Sequence, residues 1–342
     1  MPLNEAAWVD AEKSCPHQVR EAPLREPTNG HVRVSNAAIA LNPVDGAIQK
    51  NSLFPRTYPA ILVMDLAGVI DAVESNVTHV KPGDRVLGLA TSLASDDNAN
   101  GAFQKYTLVR SDCVAKIPDS LSFEQAAVLP LALATAALGL FGETELNLRR
   151  PSLEQLDNAE TVLIWGGLTG VGGVAIQLAR LAGYKVVATA SPRNHKYVVG
   201  LGAEQVFDYH STSVVRDVLK DLKDEKLAGV FEASGVDGAM NSSAQIVLGA
   251  TNRSSSSVAC VRAPPKDVPL GVAMKPFLST DIIRSMLATE IFTDLVPRAL
   301  QQGKLRAVPQ AKVVGTGLES IQAGIDLLEK GVSATKLVIK LE

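Results

Sequence analysis

The chain has 342 residues, a formal net charge of −3, 46% hydrophobic residues and 20% charged residues, which suggests about two domains and a core needing no disulfide or metal staple. Near-neutral charge without Lys/Arg runs, and only 4% aromatics, exclude a nucleic-acid binder held by phosphate contacts or base stacking. Cys15, Cys113 and Cys260 are too scattered for a Cys-x-x-Cys site or a disulfide framework, and the five histidines lack metal-ligand spacing. The composition leaves an enzyme of a reducing, cytoplasmic compartment whose reactivity comes from a bound cofactor. The N-terminus has no secretory pattern, and the longest uncharged apolar stretch, 126–141, is too short for a membrane span and reads as a buried helix.

Residues 1–122 carry short β-like runs at 31–41, 67–74, 85–90 and 106–110, separated by Pro43, Pro59, Pro82-Gly83-Asp84 and Gly101. They predict a mostly β unit, a small barrel. From about 123 to 275 the rhythm changes. Apolar runs at 161–166, 185–190, 228–233 and one ending at Phe207 alternate with helical patterns at 171–183, 193–201, 214–223 and 236–247. Such alternation predicts a buried parallel sheet. The polar segment 143–158 predicts an exposed insertion. Residues 254–257 read as a loop entering a strand at 258–261, whose edge is a candidate for dimer pairing; monomer and homodimer both stay open. The tail predicts helical stretches at 281–302 and 318–330 and a final strand at 336–341.

The sharpest feature runs from Thr161 to Gly183: a strand, a glycine-rich turn and a helix. A dinucleotide fingerprint requires this context, a tight turn followed by backbone N–H groups and a helix N-terminus facing a pyrophosphate. Gly167 and Gly172 supply the first and third positions of Gly-x-Gly-x-x-Gly. Thr169 stands at the second, its hydroxyl expected on a phosphate oxygen. An NAD site needs an Asp or Glu after the following strand; this chain has Ser191-Pro-Arg-Asn-His-Lys196. A hydroxyl with Arg193 and Lys196 suits a 2′-phosphate, so NADP(H) is favoured over NAD.

These residues, together with Ala40-Leu-Asn-Pro-Val-Asp45, Val80-Lys-Pro-Gly-Asp-Arg-Val86, Gly101-Ala-Phe-Gln-Lys-Tyr106, Leu129-Pro130 with Thr135, Val206-Phe-Asp-Tyr209 and Lys336-Leu-Val-Ile339, make nearly the whole chain similar to the medium-chain dehydrogenase/reductase superfamily. It most resembles the zinc-independent fungal type, which includes trans-acting enoyl reductases of polyketide synthases and zinc-binding-dehydrogenase-like oxidoreductases. The resemblance implies an α/β fold. A GroES-like β-barrel catalytic domain would span 1–125 and 281–342, and an NADP-binding Rossmann domain with a doubly wound parallel sheet would span 126–280. Nicotinamide and substrate would meet in a cleft between them.

The resemblance puts Pro43, Val44, Asp45 and Gly46 against the nicotinamide end and Thr135 near the carboxamide or ribose. Gly167, Leu168, Thr169, Gly170, Val171 and Gly172 would hold the pyrophosphate. Ser191, Arg193, Asn194 and Tyr209 would surround the 2′-phosphate and adenine side, and Leu248, Val338 and Ile339 would line the remaining nicotinamide wall. Zinc-dependent relatives place Cys where Asn42 stands, Gly-His-Glu where 63–65 stand, and a four-cysteine lobe near 91–101, so both zincs are expected absent. Val63 in place of glycine suggests an altered pocket wall. Where enoyl reductases commonly carry a lysine this chain has Ala47, with Lys50 the nearest lysine. No proton donor stands out: Asp45 reads as loop-fixing or ribose-contacting, Asp65 as satisfied by backbone hydrogen bonds, Tyr106 as core. The implied function is NADPH-dependent reduction of an activated carbon–carbon double bond, an enone or enoyl thioester, in a small-molecule substrate that is free or held on a carrier protein. A quinone or carbonyl reductase, and a cofactor-binding cyclase or partner subunit that does not reduce, are the alternatives.

Overall fold

The structure is a computed structural model that describes residues 3–28, 30–154 and 159–341. The chain forms two compact units, Met1–Leu131 with Ala288–Glu342, and Ala132–Leu287.

In the first unit the long strand His31–Ala40 is central. It pairs antiparallel with Asp65–Val73 on one edge, and shares the other between Tyr106–Arg110 and Thr335–Lys340. Its apolar residues Val32, Val34, Ala38 and Ile39 are fully buried. Arg85–Leu89, Val114–Lys116 and Gln310–Thr316 complete a mixed seven-stranded sheet among the described residues. A second, three-stranded sheet joins Gln18–Glu21, Glu5–Val9 and Ala60–Ile61. The unit is not purely β. Pro43–Asn51 is an α-helix rather than a turn, because Pro43 sits in its first turn, where no N–H is needed, and Asp45 takes the Asn42 N–H at 2.6 Å. Residues 281–302 are not one helix either. A 3-10 segment Ser279–Arg284, a π-helical segment Thr289–Leu295 and an α-helix Val296–Gln301 share that stretch. Pro297 lacks an N–H and interrupts the α-helical ladder there.

The second unit is built on a parallel sheet of six strands among the described residues. They run Gln205–Phe207, Lys185–Thr189, Glu160–Trp165, Lys226–Glu232, Ser257–Cys260 and Ala273–Pro276 across the sheet. Counted in chain order this is 3-2-1-4-5-6, the doubly wound order, which reverses beside the first strand. Ser257–Cys260 is therefore not an edge, contrary to expectation; Ala273–Pro276 covers it. The helix Pro130–Phe141 lies close on this sheet because Gly139 has no side chain: a Cβ there would stand 2.5 Å from the Phe231 ring. The segment after it is not wholly exposed, since Leu146 and Leu148 are buried and Leu146 fills the space over Gly229; residues 155–158 lie outside the described residues. Among the described residues, one helical stretch, Phe123–Phe141, is long and apolar enough to cross a membrane, and most of it is buried inside the protein.

Candidate functional site

The strand Glu160–Trp165 delivers the chain into the glycine turn, and Gly166, not Gly167, takes the left-handed backbone there (φ +85°). Thr189, ending the neighbouring strand, accepts from Gly166 N through Oγ1 (3.0 Å) and from Gly167 N through its carbonyl (2.9 Å). Helix Gly170–Leu181 follows at once. Gly172 is the close-approach position: a Cβ would stand 2.2 Å from the Gly166 oxygen. Thr169 caps the helix. Its Oγ1 accepts from Gly172 N at 2.9 Å and donates to Ala233 O at 3.2 Å. The hydroxyl proton is thus given to the Ala233 carbonyl. Among the described residues the amides of Gly170 and Val171, in the first helical turn, have no protein acceptor, and both residues are half-exposed along with Leu168. The turn fits a dinucleotide pyrophosphate: a cradle that a Cβ would fill, and open N–H groups at a helix N-terminus. Thr169→Val is expected to cost about 1 kcal/mol of stability, read by denaturant unfolding, with Thr169→Ser close to wild type.

The same ends of the strands gather the residues expected around the 2′-phosphate. Ser191 opens a 3-10 turn, Pro192–Asn194, and Asn194 Nδ2 donates to Ser191 Oγ at 2.8 Å. Arg193 is exposed beside them. Ala190 N donates to Phe207 O at 3.0 Å, bringing Tyr209, two residues on, to this end of the sheet, where its ring lies 4.1 Å from that of His210. Leu248 is elsewhere. It ends helix Asp237–Gly249, which returns to the amino ends of the strands, where Leu227 N donates to Asn252 O. It is thus a strand-length from the glycine turn. Thr135 lies buried on Pro130–Phe141.

In the first unit, Pro43, Val44, Asp45 and Gly46 form the opening turn of helix Pro43–Asn51, with Pro43 exposed and Asp45 and Gly46 buried. Asp45 is fully buried, which fits loop fixing rather than contact with a ribose. Among the described residues its Oδ1 has no hydrogen-bond partner, and burial, with the Asp65 charge adding, pushes its pKa up to about 8. Asp65 is also fully buried, and two of its three partners are side chains, not backbone. Oδ1 accepts from Leu131 N (2.6 Å), while Oδ2 accepts from Asn42 Nδ2 (2.9 Å) and Lys336 Nζ (2.8 Å). Lys336 Nζ also donates to Asn42 Oδ1 at 2.5 Å. One carboxylate therefore ties together the start of Pro43–Asn51, the start of Pro130–Phe141 and the strand Thr335–Lys340. Val338 and Ile339 on that strand have no exposed surface and pack in the core.

Two family descriptions match this chain: "Alcohol dehydrogenase GroES-like domain" over residues 28–119 and "Zinc-binding dehydrogenase" over 170–299. The dehydrogenase pigH of Monascus ruber is 39% identical, with all of both chains covered. The trans-enoyl reductase himH of Aspergillus japonicus is 36% identical over 99% of this chain and 98% of that one. The chain belongs to the medium-chain dehydrogenase/reductase superfamily, fungal type. The Escherichia coli quinone oxidoreductase complexed with NADPH shares the fold, with a TM-score of 0.72 at 20% identity over 99% of this chain and 100% of that one.

Within this superfamily the departures at 42 and 63–65 acquire a structural meaning. Asn42 and Asp65 face the Lys336 ammonium, and among the described residues no three His, Cys, Asp or Glu side chains converge as a metal set. Val63 has φ +78°, so the position calls for glycine on backbone grounds. Its side chain is buried rather than forming an open wall, and its carbonyl is held by Ala102 N at 3.1 Å. Lys50 does not replace the lysine missing at Ala47, because its ammonium is bound 2.7 Å from both Asp326 and Glu329. Sequence reasoning missed Gly166, Lys336 and the loop after Lys226–Glu232. In that loop Glu232 Oε1 accepts from Ser234 N (2.8 Å) and, with Oε2, from Gly235 N, fixing the segment that Thr169 bonds. The extra glycine at 166 was the available signal for the first of these.

Proposed function

We propose that this oxidoreductase uses NAD(P)H, specifically NADPH, to reduce the activated carbon–carbon double bond of a small molecule, an enone or enoyl thioester of fungal secondary metabolism. The observation that carries the reading is the cluster of Ser191, Arg193, Asn194 and Tyr209 beside the glycine turn, where a hydroxyl and a cation stand in place of the acid that a ribose 2′-hydroxyl needs. The trans-enoyl reductase himH supports the choice of an enoyl acceptor.

The cofactor, when bound, supplies a hydride to the β-carbon of the acceptor. The protein's own part is positioning. The turn from Gly166 to Gly172 holds the pyrophosphate on amides, Ser191 and Arg193 receive the 2′-phosphate, and the Asp65–Asn42–Lys336 cluster fixes the backbone of Pro43 to Gly46 for the nicotinamide end. Zinc has no part in this reading, since a lysine ammonium lies against Asn42 and Asp65. The protein would work in the cytoplasm, as a monomer or homodimer, on a substrate free or tethered to a carrier protein.

The test follows the absorbance of reduced cofactor with NADPH and NADH across enones, enoyl thioesters and quinones. NADPH is expected to be consumed with an enone or enoyl thioester at a KM about tenfold or more below that of NADH, and Arg193→Ala is expected to erase most of that gap. Preference for NADH, turnover of quinones alone, or binding of NADPH without consumption would each overturn the reading.

A further inference from the structure

The loop between helix Pro43–Asn51 and strand Ala60–Ile61 contains a guanidinium that the protein does not satisfy. The Arg56 side chain is only 2% exposed, and its Nε and Nη2, both buried, have no hydrogen-bond partner among the described residues. The nearby carboxylate, Asp96, stands 3.6 Å from Nη2, beyond hydrogen-bond length. Asp96 is engaged elsewhere: its Oδ2 accepts from Thr57 Oγ1 at 2.6 Å, and both its oxygens lie 3.3 Å from Thr57 N. Burial lowers the Arg56 pKa, yet an arginine keeps its proton in proteins, so the charge stays. Arg33, in the same unit, shows what a structural arginine does. At 10% exposure it spends Nε on Asp71 and Nη1 on Glu26 and the Arg25 carbonyl.

Nε and Nη2 form the side-on edge of the guanidinium, two parallel N–H groups spaced for the two oxygens of a carboxylate or phosphate. The chain just after Arg56 is pinned. Thr57 is bound to Asp96, Asn98 Nδ2 donates to Pro59 O at 2.8 Å, and Ile61 N donates to Asn98 Oδ1 at 2.9 Å. The upstream half of the loop is where the unmet polar groups lie. Ser52, at φ +52°, also buries an Oγ without a partner among the described residues. Buried polar groups in folded proteins are nearly always paired, so each exception needs an explanation, and a bound ion is one.

We propose that Arg56 is an oxyanion-recognition residue, whose side-on edge takes a carboxylate or phosphate group of a small-molecule ligand once the 52–56 stretch opens to admit it. Asp96 is the standby counter-charge of the closed loop. The inference deepens the reductase reading by giving its substrate an acidic group. It rests on that reading only in calling the ligand a substrate, because the recognition itself is tested by binding without turnover.

Calorimetric titration of the 342-residue chain uses trans-2-hexenoate, its neutral isostere trans-2-hexenamide, and pantetheine 4′-phosphate. The wild type is expected to bind at least one of the two anions about tenfold or more tighter than the amide. Preference for the hexenoate assigns the site to a substrate carboxylate, and preference for pantetheine 4′-phosphate assigns it to the phosphate of a carrier arm. Arg56→Gln is expected to lose that advantage while binding the amide as before, and Arg56→Lys, which has no fork, is expected not to restore it. Thermal melting separates recognition from architecture: Arg56→Gln should melt at or above the wild-type temperature, since it removes a buried charge whose only nearby counter-charge stays beyond hydrogen-bond length. Anions bound no tighter than the amide by the wild type, or anion affinity unchanged in Arg56→Gln with a lowered melting temperature, would overturn the proposal. Absence of cofactor consumption in the turnover assay would sink the reductase reading and leave these outcomes readable.

Discussion

Lys336→Met is expected to destabilise the protein by about 3–5 kcal/mol, the usual result of removing one partner of a buried ion pair. Asp65 has no exposed surface, and the Lys336 side chain is 11% exposed. Without the ammonium, the Asp65 carboxylate keeps two neutral donors, Leu131 N and Asn42 Nδ2, and no compensating charge. The Asn42 carbonyl oxygen also loses its donor. Denaturant unfolding at pH 7 measures the loss. Adding Asp65→Asn to Lys336→Met should recover much of it, because the double variant buries no unpaired charge and the new amide still accepts from Leu131 N. A single-variant loss below about 1 kcal/mol would instead place the pair among solvated surface bridges.

Asp45→Asn is expected to remove a decline of stability with pH. Burial raises the Asp45 pKa from 3.8 to about 8 in the folded chain. Between those values the folded state holds a proton that the unfolded state has released. Folding stability therefore falls as pH rises through this window, by up to about 1.4 kcal/mol per pH unit, and levels off above the folded pKa. An asparagine still offers an oxygen to Asn42 N but has no charge to bury. Unfolding midpoints at pH 5, 7 and 9 should drop for the wild type and drop less for the variant, with the variant the more stable of the two at pH 9. Parallel profiles would show that Asp45 ionises without penalty.

The second unit was the more legible in sequence, because most of its strands are apolar runs and the crossovers between the first five are helical patterns. Strand Lys185–Thr189 and helix Gly170–Leu181 sit within about two residues of where periodicity puts them. The strand Ala273–Pro276 was not legible, since it is short and largely exposed, with no alternation. In the first unit Tyr106–Arg110 was read from its β-rich composition, whereas the helix Pro43–Asn51 was hidden behind a proline that reads as a turn signal and serves as a first-turn residue. At the site, the fingerprint located the turn but not which glycine bends, because φ is a property of the backbone path and two adjacent glycines spell the same letters. Lys336 and Arg56 were illegible for a different reason. A lysine is normally a surface residue, and only contacts 271 positions away in sequence, from Lys336 to Asp65, reveal this one as buried.

The pairing of Thr335–Lys340 with His31–Ala40 also orders events during synthesis. The sheet of the first unit has a missing edge until residue 340 has left the ribosome, so its central strand must wait, unpaired along part of one side, while some three hundred residues are added. Residues 132–287 are contiguous and close over themselves within that interval. The nascent chain is therefore expected to complete its parallel sheet first, with the return of the last strand to a partner made near the beginning as the slower, entropically costly step.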